Sequence, residues 1–280
     1  MSEKWTTVIE PEQKWYKFGL KELFKYKDLI SLFVKRDFTT MYKQTVLGPL
    51  WILLNPFLTT VFFTVVFGKI ANISTGTVPQ FLFYMCANIF WGMFSRVLTK
   101  TSQLYLSNSH LLKKVYFPRL TLCVTANITS LINFAVQMLM FLAFYFYYLY
   151  TQAPITPNLY LLTMPLLLII SLTLASGVGL IITSLTTKYR DLAVLTSFGV
   201  QLWFYITPIV YPSTAIPSNL YSLFMLNPMA PLVEAFRYSF FGIGIFDLKY
   251  ILISAVTSII ILLTGLATFT RSEKNFADTL

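Results

Sequence analysis

Long runs of apolar residues dominate the pattern of hydrophobic and polar positions along this chain. A helix needs about 20 residues to cross the hydrocarbon core of a bilayer, and six runs approach or exceed that length. They cover residues 47–67, 78–98, 120–148, 160–185, 192–210 and 250–269. The sequence therefore predicts an all-α integral membrane fold with six transmembrane helices per subunit.

The polar segments between these runs carry patterns of their own. Residues 20–36 alternate apolar and charged positions with the period of a helix, which predicts an N-terminal amphipathic helix lying in the membrane interface. Such a helix serves either as an anchor or as a surface that receives an anionic lipid-linked substrate. A second polar segment begins at Ser107 and ends at Pro118, and it predicts a short helix that is either a simple connector or a lever between two spans.

Prolines interrupt the apolar pattern near the end of the fifth run. Five of the 13 prolines lie between Trp203 and Asp247, and a continuous span cannot form across them. Irregular backbone at membrane depth must be covered by protein or line a wet cavity, so we predict two short re-entrant helices over 213–247. The candidate gate residues in and beside this hairpin are Pro212, Asn227, Pro228, Glu234 and Arg237. Glu234 and Arg237 either form a gate or simply orient the hairpin.

Composition excludes a soluble protein and assigns an orientation. The chain is 56% hydrophobic and only 11% charged, against roughly 25% charged in soluble domains. Of the 21 Lys and Arg residues, 18 lie on one side if the six runs all cross, which makes that side cytoplasmic. The net charge of +10 therefore indicates topology and not nucleic-acid binding.

The same reasoning divides the chain into three parts. Residues 1–45 form a cytoplasmic N-terminus with the interface helix, and they lack the early apolar region of a cleaved signal peptide. Residues 46–270 form the six-helix domain, including a coupling loop at 103–118 and the gate helices at 213–247. Residues 271–280 form a cytoplasmic tail. Both termini therefore lie on the cytoplasmic side of a bacterial inner (plasma) membrane.

Chemistry-bearing residues are scarce within the predicted spans. No Asp or Glu lies between Asp37 and Asp191, and the single histidine, His110, falls in a cytoplasmic loop. Cys86 and Cys123 lie in apolar runs without metal-ligand spacing, so we expect no catalytic residue and no metal site. The chain also lacks a phosphate-binding loop, so ATP and Mg²⁺ would have to bind another subunit and no cofactor is expected here.

Two further groups of residues admit more than one interpretation. Asn127, Ser130, Asn133 and Gln137 share one side of the third span, where they either line a wet path or form interhelical hydrogen bonds. Aromatic rings crowd the first, second and fifth spans, where they either pack helices or stack on passing sugar rings. The candidate path residues are Trp51, Phe57, Phe62, Phe63, Tyr84, Phe90, Trp91, Trp203, Phe204 and Tyr205.

Several blocks of sequence, in order, resemble one family. They are residues 42–51 (YKQTVLGPLW), 65–68 (VVFG), 110–119 (HLLKKVYFPR), 204–212 (FYITPIVYP), 226–237 (LNPMAPLVEAFR) and 273–279 (EKNFADT). These blocks are similar to the ABC-2 type permeases that export O-antigen, teichoic acid and capsular polysaccharides. The resemblance covers about residues 20–280.

The resemblance implies a homodimer of six-helix subunits bound to two ATPase subunits. The cargo would be a polysaccharide on a polyprenyl diphosphate lipid, with O-antigen the foremost candidate. Residues implied to couple to the ATPase are Ser107, His110, Leu111, Leu112, Lys113, Lys114, Val115 and Tyr116. The family often has Lys or Arg where this chain has 39–41 (TTM), so Arg36 and Lys43, beside Tyr42, would have to meet the diphosphate as the lipid arrives.

Two rival functions remain at this point. One is an ABC-2 permease for small hydrophobic drugs or lipids, which the aromatic load within the spans disfavours. The other is a membrane enzyme acting on polyprenyl lipids, which the lack of acids and histidine in the spans disfavours. The identity of the glycan and the type of cell envelope do not follow from the sequence.

Overall fold

A computed structural model describes residues 24–112, 114, 115, 117–151, 153, 155, 157–186, 189 and 191–276 of the chain. These residues form helices joined by turns, and none of them lies in a β-strand. The helices are α1 Lys27–Tyr42, α2 Trp51–Phe63, α3 Gln80–Ser102, α4 Leu104–Leu112, α5 Leu120–Tyr150, α6 Met164–Thr186, α7 Leu192–Ile206, α8 Ser218–Met225, α9 Ala230–Phe241 and α10 Leu248–Phe276. The prediction of an all-α membrane protein is confirmed.

Among the described residues, five helical segments are long and apolar enough to cross a membrane. They are Gly48–Ile70, Gln80–Ser102, Leu120–Tyr150, Leu159–Thr186 and Leu248–Ser272. Each agrees within a few residues with a predicted span, because the bilayer requires continuous backbone hydrogen bonding that only a helix of apolar residues supplies at low cost. The first segment combines α2 with a π-helical continuation, Thr64–Ile70.

The predicted fifth span differs in length from the other five. α7 has 15 residues and ends at Ile206, so it rises only about 22 Å, less than the roughly 30 Å of the hydrocarbon core. α7 ends just before Pro208, whose backbone nitrogen carries no hydrogen and cannot donate a hydrogen bond. The segment after α7 continues as irregular chain that is buried from Thr207 to Val210.

The centre of the subunit is α3. It packs against α2, α5, α6, α7 and α9, and most of its side chains are buried. α6 and α10 form the most extensive helix pair, and small residues allow their backbones to meet. A Cβ added to Gly177 would lie 2.6 Å from the backbone nitrogen of Leu262, so any side chain there would force the two helices apart.

α4 lies at one end of this bundle and α9 at the other. Tyr105 of α4 stacks on Phe269, near the end of α10, with ring centroids 5.3 Å apart. Arg237 of α9 lies over Phe83, near the start of α3, with 3.8 Å between the guanidinium carbon and the ring centroid. We refer to these two ends as the α4 side and the α9 side.

Helices occupy the segments predicted for the interface helix and for the proline-rich hairpin, with shifted boundaries. α1 begins at Lys27, and within the described residues it extends beyond the predicted 20–36 to Tyr42, packing against α5 and burying Phe33. The hairpin contains the two predicted short helices, α8 and α9. Gly242 ends α9 in the left-handed conformation with φ of 67°, as predicted for a glycine that follows a helix.

Candidate functional site

A polar cavity of about 340 Å³ lies between the end of α1 and helices α2, α3 and α5. Its lining residues are Met41, Tyr42, Trp51, Ile52, Asn55, Pro56, Thr59, Asn88, Gly92, Arg96, Asn133 and Gln137. Met41 and Trp51 are exposed at the α4 side, whereas Asn88 is two helical turns further into the membrane than Arg96. One arginine and four amide side chains therefore surround an opening that leads into the bundle.

A chain of hydrogen bonds beside the cavity begins at a backbone carbonyl that a proline leaves without its helical donor. Pro56 lies inside α2 and has no N–H, so the carbonyl of Ile52 lacks its usual helical donor. Gln137 Nε2 of α5 donates to that carbonyl at 3.0 Å. Gln137 Oε1 in turn accepts a hydrogen bond from Arg96 Nη2 of α3 at 2.9 Å. Three helices are thus joined by one chain of polar contacts at membrane depth.

Arg96 keeps most of its hydrogen-bonding capacity unused. A guanidinium has five N–H donors, and the bond to Gln137 is the one that Arg96 donates within the described chain. Its Nε is buried without a partner, and no carboxylate of a described residue pairs with it. Gly92, one turn earlier on α3, leaves room for the guanidinium, because a Cβ there would lie 3.4 Å from Nη1.

Two other polar groups of the cavity are incompletely bonded. Asn133 is only 3% exposed, and its Oδ1 has no hydrogen-bond partner. Asn88 Nδ2 donates a long hydrogen bond of 3.4 Å to the carbonyl of Pro56. Buried polar groups without partners are rare in native structures and indicate a missing ligand, ion or water.

The predicted polar stripe on the third span therefore has a mixed outcome. Asn127 Nδ2 donates to Ser176 Oγ of α6 at 2.8 Å, an interhelical hydrogen bond. Gln137, further along the same helix, also bonds across helices, to the carbonyl of Ile52 and to Arg96. Asn133 and Gln137 line the cavity as well, so the predicted interhelical bonds are present, and a wet path along the stripe stays a prediction.

The residues predicted to meet the diphosphate have different surroundings in the structure. Tyr42 lines the cavity, and its burial raises the pKa of its hydroxyl despite the opposing charge of Arg96, so the group remains a donor at neutral pH. Arg36 lies outside the cavity and pairs with Asp37 at 2.8 Å. Lys43 is exposed in the turn after α1.

The predicted coupling residues lie in and just after α4. Ser107, His110, Lys114 and Val115 are exposed, with Val115 at 57%. Leu111 and Leu112 are half-buried against a cluster that includes Phe33, Tyr105 and Phe269. Lys113 and Tyr116 lie outside the described residues.

Two polar contacts join α1 to α3 and α4. Arg36 Nη2 donates to Asn108 Oδ1 of α4 at 3.3 Å. Asp37 Oδ2 lies 3.7 Å from Lys100 Nζ of α3. The helix that borders the cavity at Tyr42 is thus connected to the predicted coupling helix by side chains on the same side of the membrane.

The predicted path aromatics fall into three groups. Tyr84 and Phe90 are fully buried, and Phe90 stacks on Phe236 with centroids 4.6 Å apart, so both pack helices within the subunit. Trp51, Phe62 and Tyr205 are exposed, and Phe57 is half-buried between Phe81 and Phe144. The remaining four, Phe63, Trp91, Trp203 and Phe204, form one cluster across α2, α3 and α7.

A groove of about 320 Å³ borders that cluster between α3 and α7. It is lined by Trp91, Ser95, Thr99, Ser197, Val200, Gln201 and Phe204. Aromatic faces beside hydroxyl and amide groups match the two sides of a sugar ring, which are C–H faces and hydroxyl edges.

The predicted gate residues surround a buried ion pair on the α9 side. Arg237 Nη1 donates to Glu234 Oε1 at 2.6 Å, and both side chains are 2% exposed. Arg237 Nη2 also donates to the carbonyl of Pro208 at 2.9 Å, and Ser213 Oγ donates to Glu234 Oε2 at 2.9 Å. The pair therefore holds the irregular chain after α7 against α9.

Asn227, which precedes α9, also bonds to the end of α7 and to the irregular chain that follows it. Its Oδ1 accepts a hydrogen bond from Trp203 Nε1 at 2.8 Å, and its Nδ2 donates to Thr207 Oγ1 at 3.0 Å. Asn227 Oδ1 also accepts from the backbone N–H of Met229 at 3.2 Å, just before α9 begins. Pro228 is half-buried beside it, and Pro212 lines an outer cavity of about 500 Å³ together with Glu234 and Arg237.

Comparison with known proteins identifies the class. The family model of the ABC-2 type transporter matches residues 28–241, and the chain belongs to this family. It is therefore a multi-pass transporter subunit and not an enzyme, so the alternative of a membrane enzyme is wrong. The family also implies an ABC ATPase as partner.

Curated relatives match nearly the whole chain. Two proteins from Klebsiella pneumoniae, each named O-antigen export system permease protein RfbA, are 28% identical over 266 residues, covering 94% of this chain and 98% of each relative. A protein of the same name from Myxococcus xanthus is 27% identical over 264 residues, covering 93% of this chain and 98% of the relative. The predicted resemblance to polysaccharide-export permeases is confirmed.

Arg237→Ala should destabilise the protein strongly. The change leaves Glu234 charged and buried, which costs about 3–5 kcal/mol, and frees the carbonyl of Pro208. We expect a lower heat-denaturation midpoint for the detergent-purified protein and less of it in membranes. Lys249→Ala, at an exposed cation on the same side, is the control and should behave as wild type.

The double variant Glu234→Leu, Arg237→Met should recover much of the loss, because it leaves no unpaired charge. An Arg237→Ala protein that denatures with the wild-type midpoint would contradict the buried ion pair.

Proposed function

We propose that this chain is the transmembrane subunit of an ATP-driven exporter that moves a polyprenyl diphosphate-linked polysaccharide, O-antigen in the first instance, from the cytoplasm across the inner membrane. The observation that carries this proposal is the end-to-end similarity to three O-antigen export permeases. A small hydrophobic cargo is the weaker alternative, because all three of these relatives are named as O-antigen export permeases.

Six crossings are the topology that we propose for the domain over residues 46–270. α7 starts after Asp191, beyond the end of α6, and the chain that follows it meets Arg237 on the α9 side. α10 then returns to the α4 side, where Phe269 meets Tyr105. That course supports six passes despite the short α7, and it keeps 18 of the 21 Lys and Arg residues on the α4 side. The α4 side, with both termini, would then be cytoplasmic.

Coupling to the ATPase is assigned to α4 and the chain just after it, within the loop 103–118. His110, Lys114 and Val115 are exposed there, while Leu111 and Leu112 pack on the bundle. A partner that presses on the exposed side would move α1 through Arg36 and Asn108. Closure of the ATPase could in this way reach the cavity beside Tyr42.

The glycan path is assigned to the groove between α3 and α7. Trp91 and Phe204 offer ring faces to sugars without demanding one linkage. α7 also presents an exposed apolar surface that includes Leu195, Phe198 and Leu202, and a second copy of the chain across this surface would enclose the groove. The hairpin of α8 and α9 would close the outer end as a gate, with Glu234 and Arg237 fixing its position.

Deletion of the gene in its native cell tests the function. Surface polysaccharide should disappear while the polyprenyl diphosphate-linked glycan accumulates inside, and plasmid-borne wild-type chain should restore export. Mass spectrometry of the purified chain should identify a co-eluting ATPase with a phosphate-binding loop. Normal surface polysaccharide together with increased sensitivity to small hydrophobic compounds would favour the alternative cargo.

Val115→Asp should release the ATPase subunit. Val115 is 57% exposed, so the change should not disturb the fold, but docking would bury an unpaired carboxylate. We expect at least tenfold less ATPase to co-purify and export to fall in parallel. Val46→Asp is the matched control, because Val46 is fully exposed in the turn after α1. Unchanged co-purification of the ATPase with Val115→Asp would remove Val115 from the docking surface.

A further inference from the structure

Arg96 is a cation inside a predicted span, and it has no counter-charge among the residues that the structure describes. It lies inside α3, about 9 Å along the helix from Ser102, and no Asp or Glu occurs in the sequence between Asp37 and Asp191. Asp37, the nearest acid in sequence, pairs with Arg36 and Lys100 instead. Ionisable residues within spans are costly and mark functional sites unless they are paired.

The free donors of Arg96 face a space that a ligand can occupy. The bond to Gln137 uses Nη2 and Nε is buried, so Nη1 is the principal donor left for a ligand. Asn133, almost fully buried and with Oδ1 unpartnered, lines the same cavity. The unused donors of Arg96 indicate a ligand that accepts hydrogen bonds, whereas Oδ1 of Asn133 needs a donor such as a water molecule.

The chemistry of the lining selects a phosphate. A guanidinium binds phosphate oxygens through paired, charge-assisted hydrogen bonds. The amides of Asn55 and Asn88 and the protonated hydroxyl of Tyr42 supply further donors around the same space. The described residues of the cavity include no carboxylate that would repel an anion.

The shape of the cavity selects a lipid-borne phosphate. Its mouth lies beside Met41 and Trp51, which are exposed on the α4 side, the side that we propose to be cytoplasmic. From Arg96 to Asn88 the lining continues about 12 Å further along α3. A headgroup could therefore enter at the interface while its lipid tail stays in the bilayer.

We propose that the Arg96 cavity binds the diphosphate of the polyprenyl-linked glycan before transport, with Arg96 as the principal anion-binding residue. This inference rests on the proposed function and deepens it. It assigns the main charge contact to a residue within the span, and it leaves Arg36 to connect α1 with α4.

Lipid binding to the purified permease–ATPase complex tests the proposal. Native mass spectrometry would measure the binding of undecaprenyl diphosphate, undecaprenol and phosphatidylglycerol. Arg96→Gln should weaken undecaprenyl diphosphate binding about tenfold or more, and Arg96→Lys should keep a larger part of it. Binding of undecaprenol, which has no phosphate, should not change. Arg271→Gln, at an exposed cation near the end of α10, is the control for total charge.

A steric variant keeps the test valid if Arg96→Gln fails to fold. Gly92→Leu would place a side chain against the guanidinium and fill the cavity while keeping the charge, so it should produce a similar loss. Ala135→Leu adds the same side chain at an exposed position of α5 outside the cavity and should bind as wild type.

Two binding results would overturn the assignment. One is wild-type affinity of Arg96→Gln for undecaprenyl diphosphate. The other is equal, Arg96-dependent affinity for phosphatidylglycerol, which would make the cavity a general site for anionic phospholipids. Complementation of the deletion strain separates this inference from the function on which it rests. If wild type and Arg96→Gln both restore surface glycan, the export function stands and the site is wrong; if wild type fails, the function is wrong.

Discussion

The interior of a bilayer offers no hydrogen-bond partners, and this constraint accounts for the arrangement around Arg96. Pro56 deprives the carbonyl of Ile52 of its helical donor, Gln137 supplies a replacement, and the other end of Gln137 holds Arg96. One helix defect is thus repaired by a side chain that also positions a buried cation. The repair uses both the amide nitrogen and the amide oxygen of Gln137 but leaves Arg96 with unused donors, so the polar groups of the cavity do not satisfy one another completely.

The two sides of the membrane treat buried charge in opposite ways. On the α9 side, Arg237 pairs with Glu234 and donates to two backbone carbonyls, which hold the irregular chain after α7 against α9. On the α4 side, Arg96 has no acidic partner in the described chain. An arginine paired with an acid favours a fixed structural role, whereas an arginine without one favours an anionic ligand. α1 connects this second region to α4 through Asn108, so ligand binding and ATPase closure would act on the same helix.

Sequence reasoning could predict the helices because apolar run length is a direct consequence of bilayer thickness. It placed the spans within a few residues and located the hairpin from its prolines. It could not fix the end of α7, where the cost of Pro208 competes with the apolar character of 207–210. It also missed Arg96 as a site residue, because a basic residue near the end of a span is normally explained by the positive-inside rule. The available signal was the combination of Pro56, Gln137 and an arginine in a stretch without acids, but only the fold shows that these residues meet.

The most direct test of this account is the position of the phosphates in the loaded transporter. A cryo-electron microscopy map of the permease–ATPase complex in lipid nanodiscs, with the undecaprenyl diphosphate-linked glycan bound, would locate them. The account predicts phosphate density within about 3 Å of the Arg96 guanidinium, with the first sugar towards Asn88. Phosphate density at Arg36 and Lys43, with the Arg96 cavity closed or filled by a phospholipid, would contradict it.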